Sequence, residues 1–250
     1  MLRVRDLAVS YDDQLVIEGI DLDVETGKFA SLVGPSGSGK TSILRVVTEL
    51  VRPERGTVEL DVPLTDVGFL FQDDALLPWR TVKENVGLGL RIRGHQSPEV
   101  DDRAEHWLEL LGLKGYGGRY PSQLSGGQRK RVALAQILAL RPQLLLMDEP
   151  FASLDAIVRT RITQELLDWV EREHFTVLLV THDLEEAVSA SDVVYVLGHG
   201  PGATIHARYD VEIPRPRNVL DTRRHPAFGP LLAKLWDDLS ETRRGENPRP

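Results

Sequence analysis

Gly34-Pro35-Ser36-Gly37-Ser38-Gly39-Lys40-Thr41 decides how the rest of the chain reads. It satisfies G-x-x-x-x-G-K-[ST] at every fixed position. An apolar run at 29–33 precedes it, and a helical stripe of Ile43, Leu44, Val47, Leu50 and Val51 follows it. Strand, glycine-rich loop and helix in that order make a phosphate-binding unit. Glycines let backbone N–H groups turn onto phosphate oxygens, and the helix N-terminus adds partial positive charge. Lys40 then reaches the β- and γ-phosphates as a point charge, and the Thr41 hydroxyl serves Mg²⁺. The chain has only six lysines, so one at the required position carries weight. The competing reading is a Gly/Ser-rich turn with an accidental GKT, which leaves the flanking strand and helix as coincidence.

Outward from this loop, short and nearly continuous apolar runs recur at 67–71, 144–148, 176–180 and 193–197. Such runs suit strands buried on both faces of a parallel sheet. Helical periodicity lies between them, at 97–112 and 158–170, and Asp183 with Glu186 reads as a capping box. Before the loop, residues 2–9, 15–17 and 20–24 alternate apolar and polar side chains around Asp12-Asp13 and 25–27, as antiparallel strands with one wet face do. Residues 87–141 hold helical pattern and turns but no strand run. The expected fold class is therefore α/β: a P-loop NTPase core with an N-terminal antiparallel β subdomain and an inserted helical subdomain. The expected division is one domain over 1–210, with the insertion at about 87–141, and a C-terminal extension over 211–250 with one short helix at 226–240.

Composition bounds the rest. The chain has 250 residues, 41% of them hydrophobic and 27% charged, with a net charge of −8 and no cysteine. These values exclude a mostly disordered chain and a disulfide or thiolate-metal scaffold. No apolar run approaches a membrane span of ~20 residues, and the N-terminus lacks a signal-peptide core. The acidic balance argues against general nucleic-acid binding.

Four further features carry chemistry. Leu144-Leu145-Leu146-Met147-Asp148-Glu149 is an apolar strand ending in two carboxylates; Asp148 fits a role in placing Mg²⁺, and Glu149 one in polarising the attacking water. Two solvated acids after a strand would look the same in isolation. His182 follows the run 176–180 and points into the crevice where α/β sheets bind ligands; a lone histidine is more often structural. Gln72 follows the run 67–71, and its amide can hold Mg²⁺ or water without adding charge. Ser125-Gly126-Gly127-Gln128, after Leu124, makes a second nest at a helix start. A single chain cannot easily bring both nests to one nucleotide. Two chains that each lend a nest to the other's nucleotide resolve this; a plain glycine-rich helix start is the alternative.

LSGGQ between a phosphate loop and an LLLMDEP strand resembles the ATP-binding subunits of ABC transporters, over residues 1 to about 200. By that resemblance, ATP is bound by Gly34, Pro35, Ser36, Gly37, Ser38, Gly39, Lys40, Thr41 and Ser42, with Tyr11 stacking on adenine. Mg²⁺ is served by Thr41, Gln72 and Asp148. Glu149 is the catalytic base and His182 the switch histidine, and Gln72 begins the loop that couples to membrane subunits. Ser125, Gly126, Gly127 and Gln128 complete the partner chain's site, and Asp155, in Ser153-Leu154-Asp155, lies in a loop exchanged across a dimer.

Ala75-Leu76-Leu77-Pro78-Trp79, the segment 148–156 and Ile213-Pro214-Arg215-Pro216-Arg217 are similar to the nitrate/sulfonate/taurine group of importers. That similarity implies an ATPase on the cytoplasmic face of the membrane. Its partners would be a second copy of itself, two permease subunits and, indirectly, an extracytoplasmic solute-binding protein, with no nucleic acid. The chain departs from the usual A-R-A-L at Ala135-Gln136-Ile137-Leu138 and from the frequent FGALD at 151–155. Two other readings stand beside the transporter ATPase: a soluble ABC-type ATPase not coupled to transport, and a nucleotide-dependent module without turnover.

Overall fold

The computed structural model describes residues 1–151 and 156–244. Among these, two sheets form. The first is antiparallel, in the order β2 (Gln14–Val24), β1 (Leu2–Tyr11), β4 (Arg55–Leu60). Its hairpin turns at Asp12 and Asp13, both with positive φ, a conformation that aspartate tolerates better than most residues. The two runs expected at 15–17 and 20–24 form one strand, with Gly19 at φ +58° inside it.

The second sheet holds β5 (Val67–Leu70), β6 (Leu144–Asp148), β7 (Thr176–Thr181), β3 (Phe29–Val33), β8 (Val193–Leu197) and β9 (Ile205–Asp210), in that order. All neighbours are parallel except β8 and β9. Every residue of β3, β6, β7 and β8 is buried, which explains their continuous apolar runs: both faces are covered. The sequence reading missed β4 and β9. Both alternate half-buried with exposed residues at a sheet edge, so neither has an apolar run to betray it.

Helix α1 (Lys40–Val47) follows β3. Between β5 and β6 lie α2 (Val82–Val86), α3 (Leu88–Ile92), α4 (Ser97–Leu110) and α5 (Gly126–Leu138). Thr81 and Glu84 cap α2 reciprocally, so the helical stretch begins ahead of residue 87. Pro98 at the start of α4 suits a position whose N–H has no helical partner. Helix α6 (Ala156–Glu173) joins β6 to β7, and α7 (Leu184–Ala190) joins β7 to β8. Beyond β9 the chain forms α8 (Val219–Thr222) and α9 (Phe228–Arg244), more helix than the single element expected.

The segment 213–217 is a structural clamp. Arg217, only 8% exposed, donates to the carbonyls of Ser191 and Ile213 at 2.7 and 2.8 Å and pairs with Asp192 at 3.1 Å. Arg215 also pairs with Asp192 and donates to the Gly27 carbonyl at 3.1 Å. Asp192 in turn accepts from the Phe29 N–H at 2.9 Å. A buried guanidinium left without these acceptors is costly, so the tail is locked to the starts of β3 and β8. No helix among the described residues is long and apolar enough to cross a membrane.

Candidate functional site

The loop 34–41 hangs between the end of β3 and the start of α1. Gly37 and Gly39 adopt φ +81° and +91°, where L side chains are strained. A Cβ on Gly39 would lie 2.5 Å from Ile17 Cγ2, and one on Gly34 would lie 2.8 Å from the Leu197 carbonyl oxygen. The antiparallel sheet and β8 therefore press on the loop and force it to turn. Gly39 is the N-cap of α1 and offers no side-chain cap, so the first N–H groups of that helix are left for a ligand. Ser38 is 1% exposed, and its Oγ has no hydrogen-bond partner among the described residues. An orphaned buried hydroxyl inside a nest of N–H donors suits a phosphate oxygen.

Lys40 is 5% exposed; its ammonium donates to the carbonyls of Gly34 and Pro35 at 2.9 and 2.7 Å. Burial pulls its pKa down, opposed by the charges of Glu149 and Asp148. An anion in the nest would offset that desolvation. Thr41, on the first turn of α1, donates from Oγ1 to Asp148 Oδ2 at 2.8 Å. Burial pushes the Asp148 carboxyl up; the Thr41 hydrogen bond works against this, and repulsion from Glu149 adds to it. A buried carboxylate facing a hydroxyl is a pair of oxygen donors of the kind that hard cations take. Among the described residues no group of three or more acidic or histidine side chains could hold a metal by itself. That fits Mg²⁺, which usually takes one or two protein groups plus substrate phosphates and waters.

Parallel pairing does the remaining assembly. In the register of β6 with β7, Asp148 lies beside Val180, so the residues after each strand emerge together. Glu149 is held at φ +46° by its N–H bond to the Val180 carbonyl at 2.9 Å. Its Oε2 lies 3.2 Å from His182 Nδ1. Asp183 caps α7, accepting from the Glu186 N–H at 3.0 Å. The expected reciprocal box does not form, because the Glu186 side chain turns inward and is 6% exposed. Burial pushes its carboxyl up to about 7, against a hydrogen bond with Thr181.

Gln72 lies just past β5, whose Leu70 pairs with Met147, so it emerges on the same edge as Asp148. Its side chain is exposed; the structure engages its carbonyl instead. Tyr11, at the hairpin tip, donates to Ser42 Oγ at 3.2 Å and keeps 37% of its surface exposed. It therefore stands beside the loop with a face open to a flat ligand.

Residues 125–128 lie elsewhere. Ser125 caps α5, accepting from the Gln128 N–H at 3.3 Å, while Gln128 Oε1 accepts from the Ser125 N–H at 2.9 Å. This helix packs on α2, α4 and β5, whereas α1 packs on β6. Asp155, Ser153 and Leu154 lie outside the described residues.

Two residues that the sequence reading passed over tie these parts together. Lys130, 4% exposed on α5, donates to the Phe71 carbonyl at 3.0 Å and to the Gln72 carbonyl. Arg129 reaches Asp74 at 3.2 Å. The helix that starts at Ser125 is thus pinned to the Gln72 loop. Asn85, fully buried on α2, accepts from the Leu77 N–H and donates to the carbonyls of Leu77, Arg80 and Thr81. It folds 77–81 into a tight arch that leaves Trp79 71% exposed, and Ile92 is 78% exposed. A rare lysine directly after the glycine-rich loop was the available signal for the first; no local pattern marked the second.

Comparison with known proteins gives consistent results. The family model "ABC transporter" matches residues 17–152. The nitrate import ATP-binding protein NrtD of Synechocystis sp. is 39% identical, over 92% of this chain and 89% of its own. The bicarbonate transport ATP-binding protein CmpC of Synechococcus elongatus is also 39% identical, over 93% of this chain; this chain spans only 36% of CmpC. A dimeric ATP-binding cassette in a post-hydrolysis state, bound to ADP and Pi, superposes with a TM-score of 0.78 at 31% identity, over 86% of this chain and all of that one.

Proposed function

The chain belongs to the ABC transporter family, and we propose that it is the ATP-hydrolysing subunit of an importer for a small anion. The observation that carries the proposal is the pair Glu149–His182 at 3.2 Å, beside a phosphate loop whose Thr41 already meets Asp148 at 2.8 Å. One carboxylate is thereby reserved for the cation and another for water, with an imidazole beside the second. The named relatives handle nitrate, bicarbonate and sulfate or thiosulfate, all small oxyanions; nitrate, a sulfonate or taurine fits the same class.

ATP's β- and γ-phosphates lie on the N–H groups of 37–41, with Lys40 Nζ turned from its own carbonyls onto phosphate oxygens. Tyr11 offers its ring to adenine. Thr41, Asp148 and the Gln72 amide are the groups that would hold Mg²⁺, which supplies charge neutralisation at the β- and γ-phosphate oxygens. Glu149 accepts a proton as the water oxygen bonds to the γ-phosphorus, and the bond from that phosphorus to the β-phosphate oxygen breaks. ADP and inorganic phosphate leave. His182 holds the γ-phosphoryl oxygens and is oriented by Glu149.

Ser125, Gly126, Gly127 and Gln128 close over the nucleotide of a second copy. ATP then favours the closed pair because its γ-phosphate is bound by both chains, and hydrolysis removes that preference. The arch at 77–81 with Trp79, the exposed Ile92 and the Gln72 loop form the surface for two permease subunits on the cytoplasmic face of the membrane. A solute-binding protein engages on the other side. Glu149→Gln tests the proposal: ATP binding persists, phosphate release stops and a dimer accumulates by light scattering. Normal turnover in that variant would refute the role of Glu149.

A further inference from the structure

The C-terminal helix reaches the nucleotide loop. Helix α9 buries Phe228 and Leu235, with Leu231, Leu232 and Leu239 partly buried on the same stripe, against α7 and β8. Tyr209 on β9 donates to Asp238 at 2.7 Å and fixes the helix lengthwise. This docking sets Trp236 on the flank of the stripe, not in it. Trp236, Leu239 and Ser240 line a cavity of about 250 Å³ together with Pro35, Ser36 and His182.

Trp236 is 58% exposed, whereas Trp107 and Trp169 are 8% exposed and packed edge to face at 4.6 Å. A tryptophan left open on a charged tail is a candidate anchor for a second molecule, because aromatic side chains carry much of the binding energy of protein interfaces. Its position says which molecule. The cavity shares Pro35, Ser36 and His182 with the rim that a second copy must cover if nucleotide sites are shared. We infer that Trp236 and the exposed face of α9 extend this dimer interface, so that the C-terminal helix of each copy is covered by the other copy when ATP closes the pair.

The inference rests on the shared-site reading, and its test separates the two. In the full-length Glu149→Gln protein with ATP and Mg²⁺, dimerisation is measured by light scattering over a concentration series. Trp236 emission is taken as the difference from Glu149→Gln/Trp236→Phe. The expected result is an ATP-dependent dimer in which Trp236 emission shifts to the blue and resists acrylamide quenching. Trp236→Asp then weakens the dimer by about tenfold or more, as loss of an anchor does, while ATP affinity measured on the dilute monomer stays within about twofold. Trp236→Phe retains most of the dimer. Ser240→Arg, one turn along on the exposed lip, weakens it as well and guards against a local folding defect at 236. A dimer that is equally tight with Trp236→Asp and Ser240→Arg, or one in which Trp236 stays open to acrylamide, overturns this inference alone. Absence of any ATP-dependent dimer in Glu149→Gln overturns this inference and the shared site together.

Discussion

The two glycine-rich loops look alike on paper and differ in what they leave unsatisfied. The loop 34–41 ends in Gly39, an N-cap with no side chain to offer, and encloses the orphaned Ser38 hydroxyl and a buried Lys40. The loop 125–128 caps itself: Ser125 and Gln128 exchange two hydrogen bonds. The first leaves helix N–H donors and a buried hydroxyl without partners among the described residues. The second is stable alone, and its exposed face becomes useful only when something is brought to it. A glycine-serine sequence before a helix therefore does not say whether the first N–H groups are free; the capping state of the helix does.

The largest expected effect tests the chemistry beside the first loop. Glu149→Gln should lower steady-state phosphate release by about 10²–10⁴-fold, the usual worth of a general base, with calorimetric ATP affinity retained. Next, Lys40→Ala should weaken ATP binding about 100-fold through loss of a charge-assisted contact.

Complementation then probes the contrast directly. Ser125→Arg and Lys40→Ala are each expected to be inactive, yet a 1:1 mixture should recover about a quarter of wild-type turnover. Half of random pairs are mixed, and each mixed pair holds one intact composite site. No recovery would mean that both loops serve one chain's nucleotide.

Smaller effects sharpen the link between the regions. Lys130→Met leaves the Phe71 and Gln72 carbonyls without their buried donor, and should cost about 1–3 kcal/mol in denaturant unfolding. Permease-stimulated turnover should fall more than basal turnover.

The smallest effect concerns Glu186, whose carboxyl is raised to about 7 by burial. Above the ordinary carboxylate range the unfolded chain ionises first, so this group makes the fold less stable as pH rises toward 7 and adds no further loss beyond it. Glu186→Gln should thus stabilise the protein at pH 8 and be nearly neutral at pH 4, read as the midpoint of thermal unfolding.

The parallel strands were legible because strands covered on both faces need continuous apolar runs, as at 144–148 and 193–197. The edge strands at 55–60 and 205–210 were not, because one face of each meets water and their residues alternate. The Asp183–Glu186 spacing announced a cap, but the burial of Glu186 took away its reciprocal half. Arg215 and Arg217 read as part of an importer motif; their hydrogen bonds reveal a clamp on the tail.

The sequence by itself determined the glycine-rich loop with its flanking strand and helix, and the two carboxylates after an apolar run, because each depends on neighbours a few residues away. Only the tertiary structure decided that Thr41 meets Asp148, that His182 meets Glu149, that Lys130 holds the Gln72 loop, and that Trp236 lines a cavity with Pro35. Those contacts depend on strand order and register, which are set by burying two faces of a sheet at once and leave no mark at any single position.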